Sequence, residues 1–112
     1  MDFEIEDGGA AARIVMRGRL DGPGAALIEL PFTAALGGLA RPVMLDMSGV
    51  SFVGSLGIRL LLSVARAVTR KGQQIVIFAV QPAVAEVFET VALTELIPIE
   101  ASEFAALARI TA

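Results

Sequence analysis

The chain has 112 residues, of which 55% are hydrophobic and 19% are charged. Because so apolar a sequence buries enough surface to offset its conformational entropy, we expect it to fold as one domain over residues 1–112. It contains no His and no Cys, which excludes thiolate nucleophiles, a Ser-His-Asp triad, disulfides and soft-metal sites, so we expect neither an enzyme nor a bound metal or cofactor. The net charge of −3 arises from 12 acidic and 9 basic residues that form no run and no cluster with aromatic residues, so nucleic acid is a poor candidate partner.

The first part of the chain predicts a hairpin followed by a helix. Apolar and acidic residues alternate over residues 3–6, a turn follows at residues 7–9, and an alternating segment resumes over 12–20. Gly and Pro residues predict a turn over 21–24, and the next residues favour a helix over 25–36. Pro31 is expected to kink or divide this helix.

The rest of the chain alternates between predicted strands and helices. Residues 42–47 form an apolar run of strand length, and apolar residues spaced three and four apart predict a well-defined helix over 56–70, closed by Lys71 and Gly72. A strand over 74–80, a helix over 82–91, an edge strand over 97–99 and a helix over 102–110 are also predicted. The order ββαβαβαβα indicates an α/β domain with a mixed sheet.

Neither export nor membrane insertion is indicated by the sequence. The N-terminus is acidic and alternating, unlike a signal peptide, and both strongly apolar windows, residues 25–40 and 56–68, are interrupted by charged residues. We therefore expect a cytoplasmic protein.

The junction before the helix at 56–70 carries the candidate chemistry. Ser55 lies there, and a helix N-terminus offers unpaired N–H donors and partial positive charge that accommodate a phosphate. The residues leave two interpretations: Ser55 only caps the helix with its hydroxyl, or it is a regulated position.

Other charged residues have simpler interpretations. Asp46, at the end of a predicted strand, is expected to be a structural turn acceptor rather than a catalytic acid, because no second carboxylate is spaced to pair with it. Arg59, Arg66 and Arg70 fall on one helix face, which is either solvated or in contact with an acidic partner.

A set of residues follows one order along nearly the whole chain: Gly18, Leu20, Asp21, Asp46, Met47, Ser48, Val50, Phe52, Ser55, Gly57, Ile58, Gly72, Pro82, Val84 and Phe88. Taken together, these residues resemble the STAS domain of bacterial anti-sigma factor antagonists. Gly54 and Leu56 depart from the family pattern, which has Asp and then Ser or Thr at these positions. The resemblance implies a single STAS-type domain with helices packed mainly on one face of the mixed sheet.

The resemblance also implies a bacterial regulator of transcription that works by partner switching and catalyses nothing itself. By this resemblance, the unphosphorylated protein would bind a cytoplasmic anti-sigma factor that is also a serine kinase; phosphorylation of Ser55 would release it, and a PPM-type phosphatase would restore it. ATP and Mg²⁺ belong to the kinase. The implied partner-binding residues are Asp21, Gly54, Ser55, Leu56, Gly57 and Arg59.

Two alternatives stay open at this point. Asp21 either begins the turn before Pro23 or, as the resemblance implies, lies beside Ser55 and contacts the kinase. For the protein as a whole, the departures at Gly54 and Leu56 are also compatible with a STAS-domain subunit of a lipid-transport ABC system that binds its ATPase subunit. A third function, a small-ligand or nucleotide-binding domain, rests only on analogy of fold.

Overall fold

Five strands form one mixed sheet in the spatial order β1-β2-β3-β4-β5 in the computed structural model, which describes residues 1–111. β1 and β2 pair antiparallel as a hairpin, and β2 to β5 are parallel neighbours, each joined to the next through a helix. The strands are β1 (Asp2–Gly8), β2 (Ala11–Leu20), β3 (Val43–Val53), β4 (Ile75–Phe78) and β5 (Ile99–Glu100). The helices are α1 (Gly22–Gly37), α2 (Ser55–Arg70), α3 (Pro82–Thr90) and α4 (Glu103–Thr111), with a short 3-10 turn at Leu93–Glu95. The predicted α/β class and element order are confirmed.

The two faces of the sheet carry different numbers of helices. Because side chains alternate along a strand, Leu45 of β3 joins the core on one face and the adjacent Met44 joins a smaller cluster on the other. Helices α1, α2 and α3 pack on the first face, and α4 covers the second through Ala106 and Ile110. Helices thus pack mainly on one face, as the resemblance implied, with α4 as the exception.

Helix α1 begins earlier than predicted and includes Pro31. It starts at Gly22 rather than at residue 25, because Asp21 caps it: the Asp21 Oδ1 accepts a hydrogen bond from the Gly24 N–H at 2.8 Å. The helix is not divided at Pro31. Pro31 lies on the exposed side, where solvent can replace its missing hydrogen bond, while Ile28 and Phe32 are both buried in the core.

The strand boundaries also differ from the prediction. β3 extends to Val53 instead of ending at residue 47, because its pairing with β2 continues through two register shifts. β4 ends at Phe78 rather than at residue 80, because the next residue, Ala79, takes a left-handed conformation with φ of 59°. β5 lies at Ile99–Glu100, about two residues later than expected, and it is an edge strand as predicted.

On the second face, Arg13 of β2 binds three carboxylates. Its guanidinium contacts Glu6, the Asp46 Oδ2 at 2.9 Å and the Glu103 Oε1 at 3.0 Å, which ties α4 to the sheet. Burial alone would lower the pKa of Arg13, but the surrounding carboxylates, Glu103 foremost, raise it. The buried Asp46 also accepts hydrogen bonds from the Ser48 N–H at 3.0 Å and the Ser48 hydroxyl at 2.7 Å. Its predicted role as a structural acceptor is confirmed, although it lies within β3 rather than at the end of a strand.

Candidate functional site

Two strand-to-helix junctions of one residue each, Asp21 after β2 and Gly54 after β3, lie at the carboxyl ends of these neighbouring parallel strands. Leu20 pairs with Val53 in the sheet, and the Gly54 N–H donates to the Leu20 carbonyl at 3.0 Å. This backbone contact places Asp21, which follows Leu20, beside the start of α2. The structure therefore brings together the β2–α1 and β3–α2 segments that the sequence singled out separately.

The structure gives Asp21 a definite structural role. The Gly24 N–H, and then the Arg19 guanidinium, whose Nε lies 3.4 Å from the Asp21 Oδ2, hold the pKa of this carboxyl below its usual value. The predicted turn over 21–24 is not formed, because α1 already begins at Gly22; Asp21 is the N-cap of this helix instead. Its contact with a partner stays a prediction.

Ser55 is the first residue of α2, and Gly54 occupies the capping position. Gly54 has extended backbone angles, and its carbonyl accepts the Ile58 N–H at 3.0 Å. No side chain caps this helix, so the interpretation of Ser55 as a simple cap is wrong. Ser55 is exposed, and its hydroxyl makes no hydrogen bond with any residue of the described range 1–111.

Gly57 fixes how closely α2 approaches the end of β2. A Cβ at this position would lie 2.5 Å from the Leu20 carbonyl oxygen and 2.8 Å from the Leu20 Cγ. Only a residue without a side chain fits there. Gly57 is buried beneath the site, and the close packing of α2 on Leu20 explains why this position is a glycine.

Phe52 and Arg19 form a part of the site that the sequence analysis did not identify as functional. The two residues are partners across β2 and β3, and the Arg19 guanidinium lies 4.4 Å from the centroid of the Phe52 ring. Phe52 is 39% exposed, and its ring edge comes within 3.3 Å of where a Cβ on Gly54 would be. A larger residue at position 54 would therefore require the ring to move.

A groove of about 390 Å³ runs between α1 and α2 from the Ser55 end of the helices. Its lining residues are Gly22, Ala25, Ala26 and Glu29 from α1 and Leu56, Arg59, Leu60 and Ser63 from α2. Leu56 is 48% exposed and lies across from Gly22 at the mouth. Of the three arginines on α2, only Arg59 lies at the site; Arg66 and Arg70 are exposed further along the helix.

Residues 4–106 match the sequence model of the STAS domain. The chain belongs to the STAS domain family. A comparison of this STAS domain with curated proteins found no match. Within residues 1–111, no helix is long and apolar enough to cross a membrane, and no three acidic side chains are grouped so as to hold a metal ion.

Solved structures similar to this STAS domain include several proteins described as anti-sigma factor antagonists. An anti-sigma-factor antagonist (STAS) domain protein from Planctomyces limnophilus is 24% identical, with a TM-score of 0.85 and 96% of each chain covered. An anti-sigma factor antagonist from Mycobacterium paratuberculosis is 20% identical, with a TM-score of 0.87, covering 99% of this chain and 94% of that one. The anti-sigma factor antagonist SpoIIAA in its unphosphorylated form is 22% identical, with a TM-score of 0.77, covering 98% and 96%. At these identities the likeness shows the fold.

Proposed function

We propose that this STAS domain is an anti-sigma factor antagonist that works by partner switching. In the unphosphorylated state it binds a cytoplasmic anti-sigma factor with serine kinase activity. Phosphorylation of Ser55 releases it, and a PPM-type phosphatase returns it to the binding form. The domain itself catalyses no reaction.

The observation that carries the proposal is the position of the Ser55 hydroxyl. It is exposed on the first residue of α2 and has no hydrogen-bond partner within residues 1–111. It lies where the two strand-to-helix junctions meet through the hydrogen bond from the Gly54 N–H to the Leu20 carbonyl. A kinase needs an accessible hydroxyl, and a partner needs a surface that the new charge disturbs. The position of Ser55 supports both requirements.

The local electrostatics favour a phosphate at this position. The first turn of α2 presents unpaired backbone N–H groups and carries no acidic residue. Gly54 supplies no carboxylate next to Ser55, so a phosphate of about two negative charges meets no like charge from its immediate neighbour.

The chemistry of the site argues for binding rather than catalysis. Asp21, which directly follows β2, is engaged as a helix cap and its pKa is lowered, so it stays ionised near neutral pH and is a poor general acid. The chain also has no His or Cys to act as a base or nucleophile.

Binding measurements with the purified kinase test the proposal. Ser55→Ala should bind as the wild type does, whereas Ser55→Glu, which places a charge at the centre of the surface, should bind at least about tenfold more weakly. Thr94→Glu, an exposed change on the 3-10 turn, is the control and should bind normally. Incubation with the kinase and ATP should add the mass of one phosphate to the wild type and none to Ser55→Ala.

The alternative function predicts a different partner. If affinity purification from the native cell recovers a transporter ATPase and no kinase, this STAS domain is a subunit of a lipid-transport ABC system and the antagonist proposal is wrong. A kinase that binds without modifying Ser55 would leave a binding protein without the switch.

A further inference from the structure

We propose that Arg19 and Arg59 make the surface around Ser55 a binding site for an acidic segment of the partner protein. We further propose that a phosphate on Ser55 releases the partner by engaging the same two arginines. The inference rests on the proposed function and specifies the chemistry of the partner and of its release.

Arg19 is held at the site by an aromatic ring. Its guanidinium lies 4.4 Å from the Phe52 centroid, and the ring edge in turn borders Gly54, the residue before Ser55. Stacking on a ring leaves the edge of a guanidinium available for hydrogen bonds to an oxyanion. The Arg19 side chain is 59% exposed, and its contact with Asp21 at 3.4 Å is with a carboxylate that already caps α1.

Arg59 approaches Ser55 from the other direction, along α2. Residues four apart on a helix lie on the same face, with their Cβ atoms about 5–6 Å apart, so Arg59 is a direct surface neighbour of Ser55. It is exposed at the groove between α1 and α2, and it forms no ion pair with any residue of the described range 1–111. Arg59 is thus next to Ser55 on the helix face, and Arg19 is connected to the same surface through the Phe52 ring that borders Gly54.

The remaining exposed side chains suit a protein partner rather than a small anion. Phe52 is 39% exposed and Leu56 is 48% exposed, so the arginines border apolar surface that a protein segment can cover. Asp21 lies beside Arg19, but it already accepts the Gly24 N–H as the cap of α1. Glu29 lines the groove with Arg59 but forms no ion pair with it in the described range 1–111, so both guanidinium groups keep donors for a partner. Charge complementarity therefore selects a partner segment with carboxylates next to apolar side chains.

The same arrangement explains how phosphorylation would act. A phosphate on Ser55 carries about two negative charges and lies within reach of the Arg59 side chain on the same helix face. The phosphate would neutralise, within this chain, the positive charge of the arginines that the partner binds. Release then follows from competition for the arginines as well as from repulsion of the partner's carboxylates.

The first test compares charge reversals in binding to the purified kinase. Arg19→Glu and Arg59→Glu should each weaken binding by about tenfold and make it less sensitive to salt, because a like charge now faces the partner. Arg66→Glu, two turns along α2 from Arg59, should stay within about twofold of the wild type. Arg19→Lys, which keeps the charge, separates loss of charge from loss of packing on Phe52 and should bind better than Arg19→Glu. Unchanged affinity of Arg19→Glu and Arg59→Glu would overturn the inference, even with the Ser55 switch intact.

The second test needs no partner. Phosphoserine is introduced at position 55 during translation, and its phosphate is titrated by ³¹P NMR. The second pKa of the phosphate should be lower, by about 0.5 or more, with both arginines present than in the Arg19→Gln/Arg59→Gln double variant. Equal values would show that the arginines do not engage the phosphate and would overturn the proposal, whatever protein proves to be the partner.

Discussion

The close packing of α2 on the end of β2 makes Gly57→Ala a direct test of how the site is built. The added Cβ would lie 2.5 Å from the Leu20 carbonyl oxygen, where an ordinary C···O contact is about 3.3 Å, so α2 and β2 must separate locally by about 0.8 Å. Both obstructing Leu20 atoms lie in a fully buried residue, so neither can simply rotate into solvent. Overpacking of this kind costs about 1–3 kcal/mol.

The measurement is thermal unfolding followed by circular dichroism. For a domain near 100 residues, 1 kcal/mol corresponds to about 4–8 °C in Tm, so Gly57→Ala should unfold several degrees below the wild type. Gly37→Ala is the matched control: a Cβ there meets no atom within 4 Å, and Ala is favoured over Gly in a helix by about 0.5–1 kcal/mol, so Tm should rise or stay level. If Gly57→Ala were as stable as the wild type, the contact between α2 and β2 would not be as close as described, and the account of how Ser55 is positioned would fail.

Three further changes test other parts of the structure. Ala92→Gly should raise the free energy of unfolding in urea by up to about 1 kcal/mol, because Ala92 has a left-handed φ of 55°; unchanged or lower stability would contradict the strain. Arg13→Gln should lower the free energy of unfolding by about 1–3 kcal/mol in the same assay, because it leaves the buried Asp46 without its cation. The control, Arg17→Gln on the exposed part of β2, should lower it by no more than about 1 kcal/mol, and equal losses for the two variants would show that the Arg13 contacts contribute little. Asp21→Ala should be less stable than the wild type near neutral pH, and because the folded pKa of Asp21 is depressed, the difference should shrink as pH falls through and below 3.8; a difference that persists at pH 2 would exclude the ionised cap.

Local patterns in the sequence were sufficient to predict most of the fold. The spacing of Leu61, Ala65 and Val68 predicted α2 correctly to within a residue, because its buried and exposed faces are clearly separated. The end of β3 was missed because Ser48 and Gly49 resemble a loop, although pairing with β2 keeps them in the strand. Tertiary pairing of this kind is invisible to local propensity.

The candidate site was predicted unevenly for the same reason. Ser55, Asp21 and Gly57 belong to recognisable motifs, and the structure brings their backbones together through the Leu20 carbonyl. The Arg19–Phe52 contact joins residues far apart in sequence, and their pairing depends on two register shifts that no local pattern reveals.

The departure at Gly54 and the Arg19–Phe52 contact are parts of one arrangement. The Phe52 ring occupies the space beside position 54, and a side chain there would press on the ring on which Arg19 rests. Phe52 matches the family pattern, whereas Gly54 replaces the usual acidic residue, so this chain keeps the ring that carries Arg19 and loses the negative charge next to Ser55. A partner adapted to that acidic residue would find no carboxylate here, so we expect the partner of this domain to differ in charge from the partners of domains that keep the acid.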